Sequence, residues 1–132
     1  MNKVKEICFI EDDRVQIFLL TKYVEKLKTG YQVSSFANGK LAFDAMEQRA
    51  KESKPFPDVI FLDINMPVWS GWDFYKAFSK LKGSANVKIF VLTSSLDDDD
   101  YQMAVTSGLA DNYLIKPLGF EKFEKLILKL TE

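Results

Sequence analysis

Five short apolar runs punctuate the chain: EICFI (6–10), YQVSSF (31–36), DVIFL (58–62), KIFVL (88–92) and NYLIK (112–116). The first, third and fourth are almost unbroken in apolar character. Strands covered on both faces of a parallel sheet read this way, whereas half-solvated strands alternate. Between the runs, apolar residues recur at helical spacing. Residues 14–28 carry Val15, Phe18, Leu19 and Val24, and residues 39–52 carry Leu41, Ala42, Ala45 and Met46. Residues 72–82 carry Trp72, Phe74, Tyr75 and Leu81; residues 97–107 carry Tyr101, Ala104 and Val105; residues 120–131 carry Phe120, Phe123, Ile127 and Leu130. Strand and helix thus alternate five times. The pattern predicts an α/β fold, with a five-stranded parallel sheet doubly wound by helices on both faces in a three-layer sandwich. The polar segment EQRAKESKPFP (47–57) reads as a longer surface connection. The chain shows no internal repeat and no low-complexity tract.

Composition narrows the class. A length of 132 residues fits one domain, and 47% hydrophobic with 28% charged residues is ordinary for a globular core built without staples. The 18 basic and 19 acidic residues leave a net charge of −1, which makes no electrostatic case for a nucleic acid or an anionic membrane. No apolar run approaches the ~20 residues a membrane helix needs. The opening MNKVKEICFIEDD has too short an apolar run for a signal peptide, so a cytoplasmic location is expected. Cys8, the single cysteine, lies between Ile7 and Phe9 and reads as a small buried hydrophobe, with a reactive thiol as the alternative. The absence of histidine removes His-based triads, His-ligated zinc and a phosphohistidine carried by this chain.

Candidate chemistry follows from topology. Open parallel α/β sheets bind ligands beyond the carboxyl ends of their strands. The residues standing there are Glu11, Asp12 and Asp13 after the first run, Asp63 after the third, Thr93, Ser94 and Ser95 at the end of the fourth, and Lys116 with Pro117 after the fifth. Carboxylates gathered in one place repel unless a cation joins them. With only oxygen ligands the cation should be hard, Mg²⁺ or Mn²⁺ rather than zinc. Lys116 suits a phosphate oxygen, Thr93 can donate a hydrogen bond to another, and a carboxylate can attack phosphorus to give an aspartyl phosphate.

These motifs, in this order and over essentially the whole chain, resemble the receiver domain of two-component response regulators. FIEDD resembles the family's acidic pair, at Glu11 and Asp12. FLDINMPVWSG resembles its phosphoacceptor loop, with Asp63 as acceptor and Asn65 two residues on. VLTSS resembles its switch hydroxyl, Thr93, and YLIKP its switch aromatic and lysine, Tyr113 and Lys116, with a cis Pro117. The resemblance implies a flavodoxin-like sheet of order 2-1-3-4-5. It also implies a sensor histidine kinase or phosphotransfer protein as phosphodonor, and Mg²⁺ held by Asp12 and Asp63 directly, by Glu11 through water and by the Asn65 carbonyl. The switched face would be that of the fourth helix, fifth strand and fifth helix, engaging a downstream protein of unknown identity. Two segments run longer than the family pattern, residues 47–57 and Gly108 to Tyr113. A single receiver domain over 1–132 with no output domain is the expectation.

Other readings compete. A Mg²⁺-dependent phosphatase with an aspartyl intermediate would need a second acid two residues after the nucleophile, where this chain has Asn65. A degenerate receiver, binding a partner without phosphorylation, would have no use for the full set of acids, threonine and lysine. Asp13 is expected to cap the first helix, and Ser95 the fourth, with Asp97 to Asp100 complementing its dipole. Trp69 lies in the Asp63 loop rather than in any periodic run.

Overall fold

The computed structural model describes residues 4–130. The elements alternate as the pattern predicts: β1 (Glu6–Ile10), α1 (Arg14–Leu27), β2 (Gln32–Phe36), α2 (Gly39–Lys51), β3 (Val59–Leu62), α3 (Gly71–Phe78), β4 (Lys88–Thr93), α4 (Asp98–Thr106), β5 (Tyr113–Ile115) and α5 (Phe120–Leu130). All strand pairings are parallel, in the order β2-β1-β3-β4-β5. Register brings the ends of β1 and β3 side by side, with Ile10 opposite Leu62.

The central strands are apolar throughout because each faces a helical layer on both sides. In β1, Ile7 and Phe9 enter one core with Leu20, Val24, Phe123 and Ile127 of α1 and α5. Cys8 and Ile10 enter the other with Ala42, Met46, Phe74 and Phe78 of α2 and α3. Phe9, Phe61, Phe74, Phe78 and Phe123 are among the largest fully buried side chains. Each stabilises by about 1.5–3 kcal/mol relative to exposure. Cys8 is buried as expected, and burial pushes its thiol up to about 12, which keeps it protonated and unreactive.

Several expectations are corrected. In α1 the inward stripe is Ile17, Leu20, Val24 and Leu27, whereas Val15, Phe18 and Leu19 are exposed, Val15 at 76% and Phe18 at 64%. Two apolar stripes lie on one helix, and periodicity cannot say which meets the sheet. Leu41 likewise faces solvent while Ala42 and Met46 are buried. Of the two overlapping readings, the helix over 39–52 holds, since α2 runs from Gly39 to Lys51, and the connection expected over 47–57 shortens to 52–58. Arg49 donates to both Glu6 carboxylate oxygens at 2.8 and 2.9 Å and to the Pro55 carbonyl. This fork anchors the end of α2 to the amino-terminal edge of the sheet. Helix α3 ends at Phe78, short of the expected 82, and a turn and a 3₁₀ segment follow. Asp97, not Ser95, caps α4, accepting from the Asp99 amide. Asp13 caps α1 as expected, accepting from the amides of Val15 and Gln16. The extra length before Tyr113 is absorbed in a 3₁₀ turn, Ala110–Asn112, so β5 keeps its register with Tyr113 opposite Val91.

One close approach ties the fold to the strand ends. Gly71, first residue of α3, donates its N–H to the Ile64 carbonyl and lies against the backbone after β3. A Cβ there would stand 2.5 Å from the Asp63 carbonyl oxygen and 2.7 Å from Ile64 Cα. Backbone cannot yield as a side chain does. Gly71→Ala is therefore expected to cost about 1–3 kcal/mol, read as a lower urea midpoint at unchanged slope.

Candidate functional site

Strand order brings the polar residues together. Glu11 follows β1, with its N–H on the Phe36 carbonyl, and Asp63 follows β3, with its N–H on the Ile10 carbonyl at 2.9 Å. Lys116 follows β5, its N–H on the Thr93 carbonyl at 2.8 Å, and the Lys116–Pro117 peptide is cis. The backbone thus gathers four strand ends at one edge of the sheet. Glu11 and Asp63 are only 4% and 5% exposed and Thr93 is fully buried, whereas Asp12 is exposed.

One carboxylate oxygen from each of Glu11, Asp12 and Asp63 lies within 4.8 Å of the other two. The Lys116 ammonium donates to Glu11 Oε1 at 2.6 Å and stands 3.6 Å from Asp63 Oδ2. Three acids against one ammonium leave an excess of negative charge in a partly dry site, which a hard cation would relieve. The donor set is all oxygen, so it fits Mg²⁺ or Mn²⁺. Burial pushes the Glu11 carboxyl up to about 7; the Lys116 ammonium opposes the rise and the Asp63 carboxylate adds to it. Burial works against the Lys116 ammonium as well, but Glu11 and Asp63 outweigh it and hold its pKa above the ordinary value.

The remaining expected residues gather at the same place. Asp63 Oδ1 accepts the Asn65 amide at 3.0 Å, and Asn65 Nδ2 donates to Thr93 Oγ1 at 3.4 Å. Thr93 Oγ1 also accepts the Ser95 amide at 3.0 Å. Tyr113 lies beyond Thr93, half-buried, with its ring edge-on to Tyr101 at 5.6 Å and its hydroxyl buried without a hydrogen-bond partner. Trp69 is fastened. It follows Val68, and both adopt left-handed backbone (φ 53° and 63°) that non-glycine residues disfavour. Its ring packs on Phe43 and under the Lys40 ammonium, and its carbonyl accepts the Gly39 amide.

Sequence reasoning missed one group. Trp72 Nε1 donates to Asp100 Oδ1 at 3.3 Å, and Ser95 Oγ donates to Asp100 Oδ2 at 2.6 Å. Trp72 read as core and Asp100 as one of four helix-start acids. No local signal links residues 28 apart; only the α3–α4 juxtaposition shows the bond.

The chain is similar to known proteins in sequence and fold. The family model described as "Response regulator receiver domain" matches residues 7–128. The transcriptional regulatory protein KdpE of Mycobacterium tuberculosis is 32% identical over 117 residues, covering 89% of this chain and 47% of that protein. A protein named "Probable methanogenesis regulatory protein FilR2", from Methanothrix harundinacea, is 25% identical over 96% of this chain and 81% of its own length. A two-component response regulator structure from Legionella pneumophila superposes with a TM-score of 0.80 at 31% identity, covering 97% of this chain and 98% of that one. The chain spans about half the length of KdpE. It belongs to the response regulator receiver family. Members are signalling domains of two-component systems, characterised by phosphorylation and by Mg²⁺ binding in an acidic pocket.

A pH dependence follows from Glu11. Below about 7 its carboxyl holds a proton that a cation must displace; above that value it is already ionised. Mg²⁺ affinity, measured by calorimetry, is expected to rise with pH through the neutral range, by up to about tenfold per unit below the Glu11 pKa. Glu11→Gln should bind more weakly and flatten that slope.

Proposed function

We propose that Asp63 accepts a phosphoryl group from a phosphohistidine on a sensor histidine kinase or phosphotransfer protein. This chain has no histidine, so the donor imidazole must come from a partner. The carrying observation is a nearly buried carboxylate, Asp63, standing between two further acids and the Lys116 ammonium at the strand ends. A carboxylate oxygen of Asp63 forms the bond to phosphorus as the N–P bond breaks, and the imidazole leaves with the electron pair and takes up a proton. Asp12 and Asp63 would hold Mg²⁺ directly, Glu11 through water, and the Asn65 carbonyl would complete the protein's share. A bound Mg²⁺ would offset charge on the phosphoryl oxygens.

Lys116 moves its contact from the acids to a phosphoryl oxygen, and Thr93 donates to another. Tyr113 then changes its position, and the surface of α4, β5 and α5 changes partners through a shift between two states. That surface carries exposed Tyr101, Met103, Val105 and Ile115. The exposed Val15, Phe18 and Leu19 lie on α1, the helix that follows Glu11 and Asp12 in the chain, and suit the phosphodonor's docking helix. A cytoplasmic location fits this role, and no helix among the described residues is long and apolar enough to cross a membrane. The phosphatase reading is disfavoured because Asn65, bonded to Thr93, supplies no general acid.

Incubation with acetyl phosphate and Mg²⁺, followed by intact mass, tests the proposal. A single phosphoryl adduct is expected, absent in Asp63→Asn at an unfolding temperature no lower than that of the wild type. Lys116→Ala should be phosphorylated more slowly yet bind Mg²⁺ more tightly, since its ammonium no longer repels the cation. A normal adduct in Asp63→Asn, or steady phosphate release without an adduct, would overturn the assignment.

A further inference from the structure

A closed ring of contacts leaves the acceptor strand and returns to it. Gly71 packs on the Asp63–Ile64 backbone, and its neighbour Trp72 reaches across to α4. Both oxygens of Asp100 are occupied, one by Trp72 Nε1 and the other by Ser95 Oγ at 2.6 Å. Ser95 Oγ also accepts the Asp97 amide at 3.1 Å, so the residue is pinned to the start of α4. The Ser95 amide in turn holds Thr93 Oγ1. Thr93 meets Asn65, whose amide sits on Asp63.

We propose that Trp72 and Asp100 are positioning residues that latch the β4–α4 loop, restrain Thr93 in the resting arrangement, and release it when the acceptor is charged. This rests on the phosphoacceptor reading above. Thr93 is buried and bonded to the Ser95 amide, so it advances toward Asp63 only by breaking that bond or by drawing Ser95 along. Ser95 follows only if its hydroxyl leaves Asp100. Asp100 is held by an indole that packs against the α2–α3 core. The Ser95–Asp100 bond, at 2.6 Å to a carboxylate, is the short one, and Trp72 fixes the other oxygen of that carboxylate, so Ser95 moves only at the cost of a charge-assisted bond.

A second observation agrees. The Tyr113 hydroxyl is buried and unpartnered, an arrangement that costs free energy. After burial, Asp100 and then Asp97 are the groups that hold its pKa up, which places their charge close by. A released Asp100 is an acceptor for that orphan O–H. The latch thus joins Thr93 and Tyr113 through one carboxylate, which closes on Ser95 and Trp72 in one state and accepts Tyr113 in the other.

Trp72→Phe removes the N–H and retains an aromatic ring. Beryllofluoride, a phosphoryl mimic, is titrated by calorimetry in saturating Mg²⁺ into wild type, Trp72→Phe, Asp100→Asn and the control Asp98→Asn. Trp72→Phe is expected to lower the half-saturating beryllofluoride concentration by about fivefold to tenfold, within the range for losing one intramolecular hydrogen bond of ordinary strength. Asp100→Asn should shift it in the same direction, Asp98→Asn not at all, and Mg²⁺ affinity should stay constant in all four. A merely structural role would lower the unfolding temperature of Trp72→Phe without tightening beryllofluoride. That result overturns the latch, as does weaker binding in Trp72→Phe, which would assign the bond to the switched state. If wild type itself fails to bind beryllofluoride, the phosphoacceptor reading fails first.

Discussion

The constraint on which the rest depends is the crowding of Glu11, Asp12 and Asp63 at the carboxyl end of the sheet. Their oxygens lie within 4.8 Å of each other, and two of the three residues are almost fully buried. Like charges so placed, and so poorly solvated, oppose folding unless something neutralises them. Lys116 is the group the chain supplies, at 2.6 Å from Glu11. Burial, and after it the Asp63 carboxylate alongside, raise the Glu11 pKa even so. A hard cation would relieve that crowding.

The opposite end of the same sheet makes the contrast. Glu6, on β1, is also partly buried and also acidic. It accepts both nitrogens of Arg49 and the hydroxyl of Ser34, and its pKa lies below the ordinary carboxylate value despite its burial. That charge is matched by geometry, and it serves stability by locking α2 to β1. One strand thus carries at its start an acid matched by a guanidinium, and just past its end Glu11 and Asp12, which share one ammonium with Asp63. The difference between a structural and a functional carboxylate lies in the partners, not in the residue type.

Rigidity around the acids comes from backbone more than from side chains. Gly71 lets α3 start directly against Asp63, and Val68 and Trp69 hold left-handed conformations that the docking of Trp69 on Phe43 and Gly39 sustains. The acceptor loop is therefore braced on α2 and on α3. On the β4–α4 side the restraints are hydrogen bonds through Ser95 and Asp100. A rigid acceptor beside a releasable loop is the mechanical condition for a switch that moves one face and spares the other.

By itself the sequence determined the alternation of strands and helices, the two-faced burial of β1, β3 and β4, the cap at Asp13, and the acids, threonine and lysine at the strand ends. Each is a local property, written in the period of apolar residues or in the residue that ends a run. What only the tertiary structure decided has a common physical origin, the meeting of residues far apart in the chain. The outward turn of Val15, Phe18 and Leu19 depends on which of two stripes on α1 the sheet accepts. The anchoring of the end of α2 to β1 depends on Arg49 finding Glu6, 43 residues away. The cap of α4 fell to Asp97 because Ser95 Oγ is drawn to Asp100, and Asp100 in turn holds Trp72. Four adjacent acids look alike in a sequence, and burial against an indole and a hydroxyl singles out one of them.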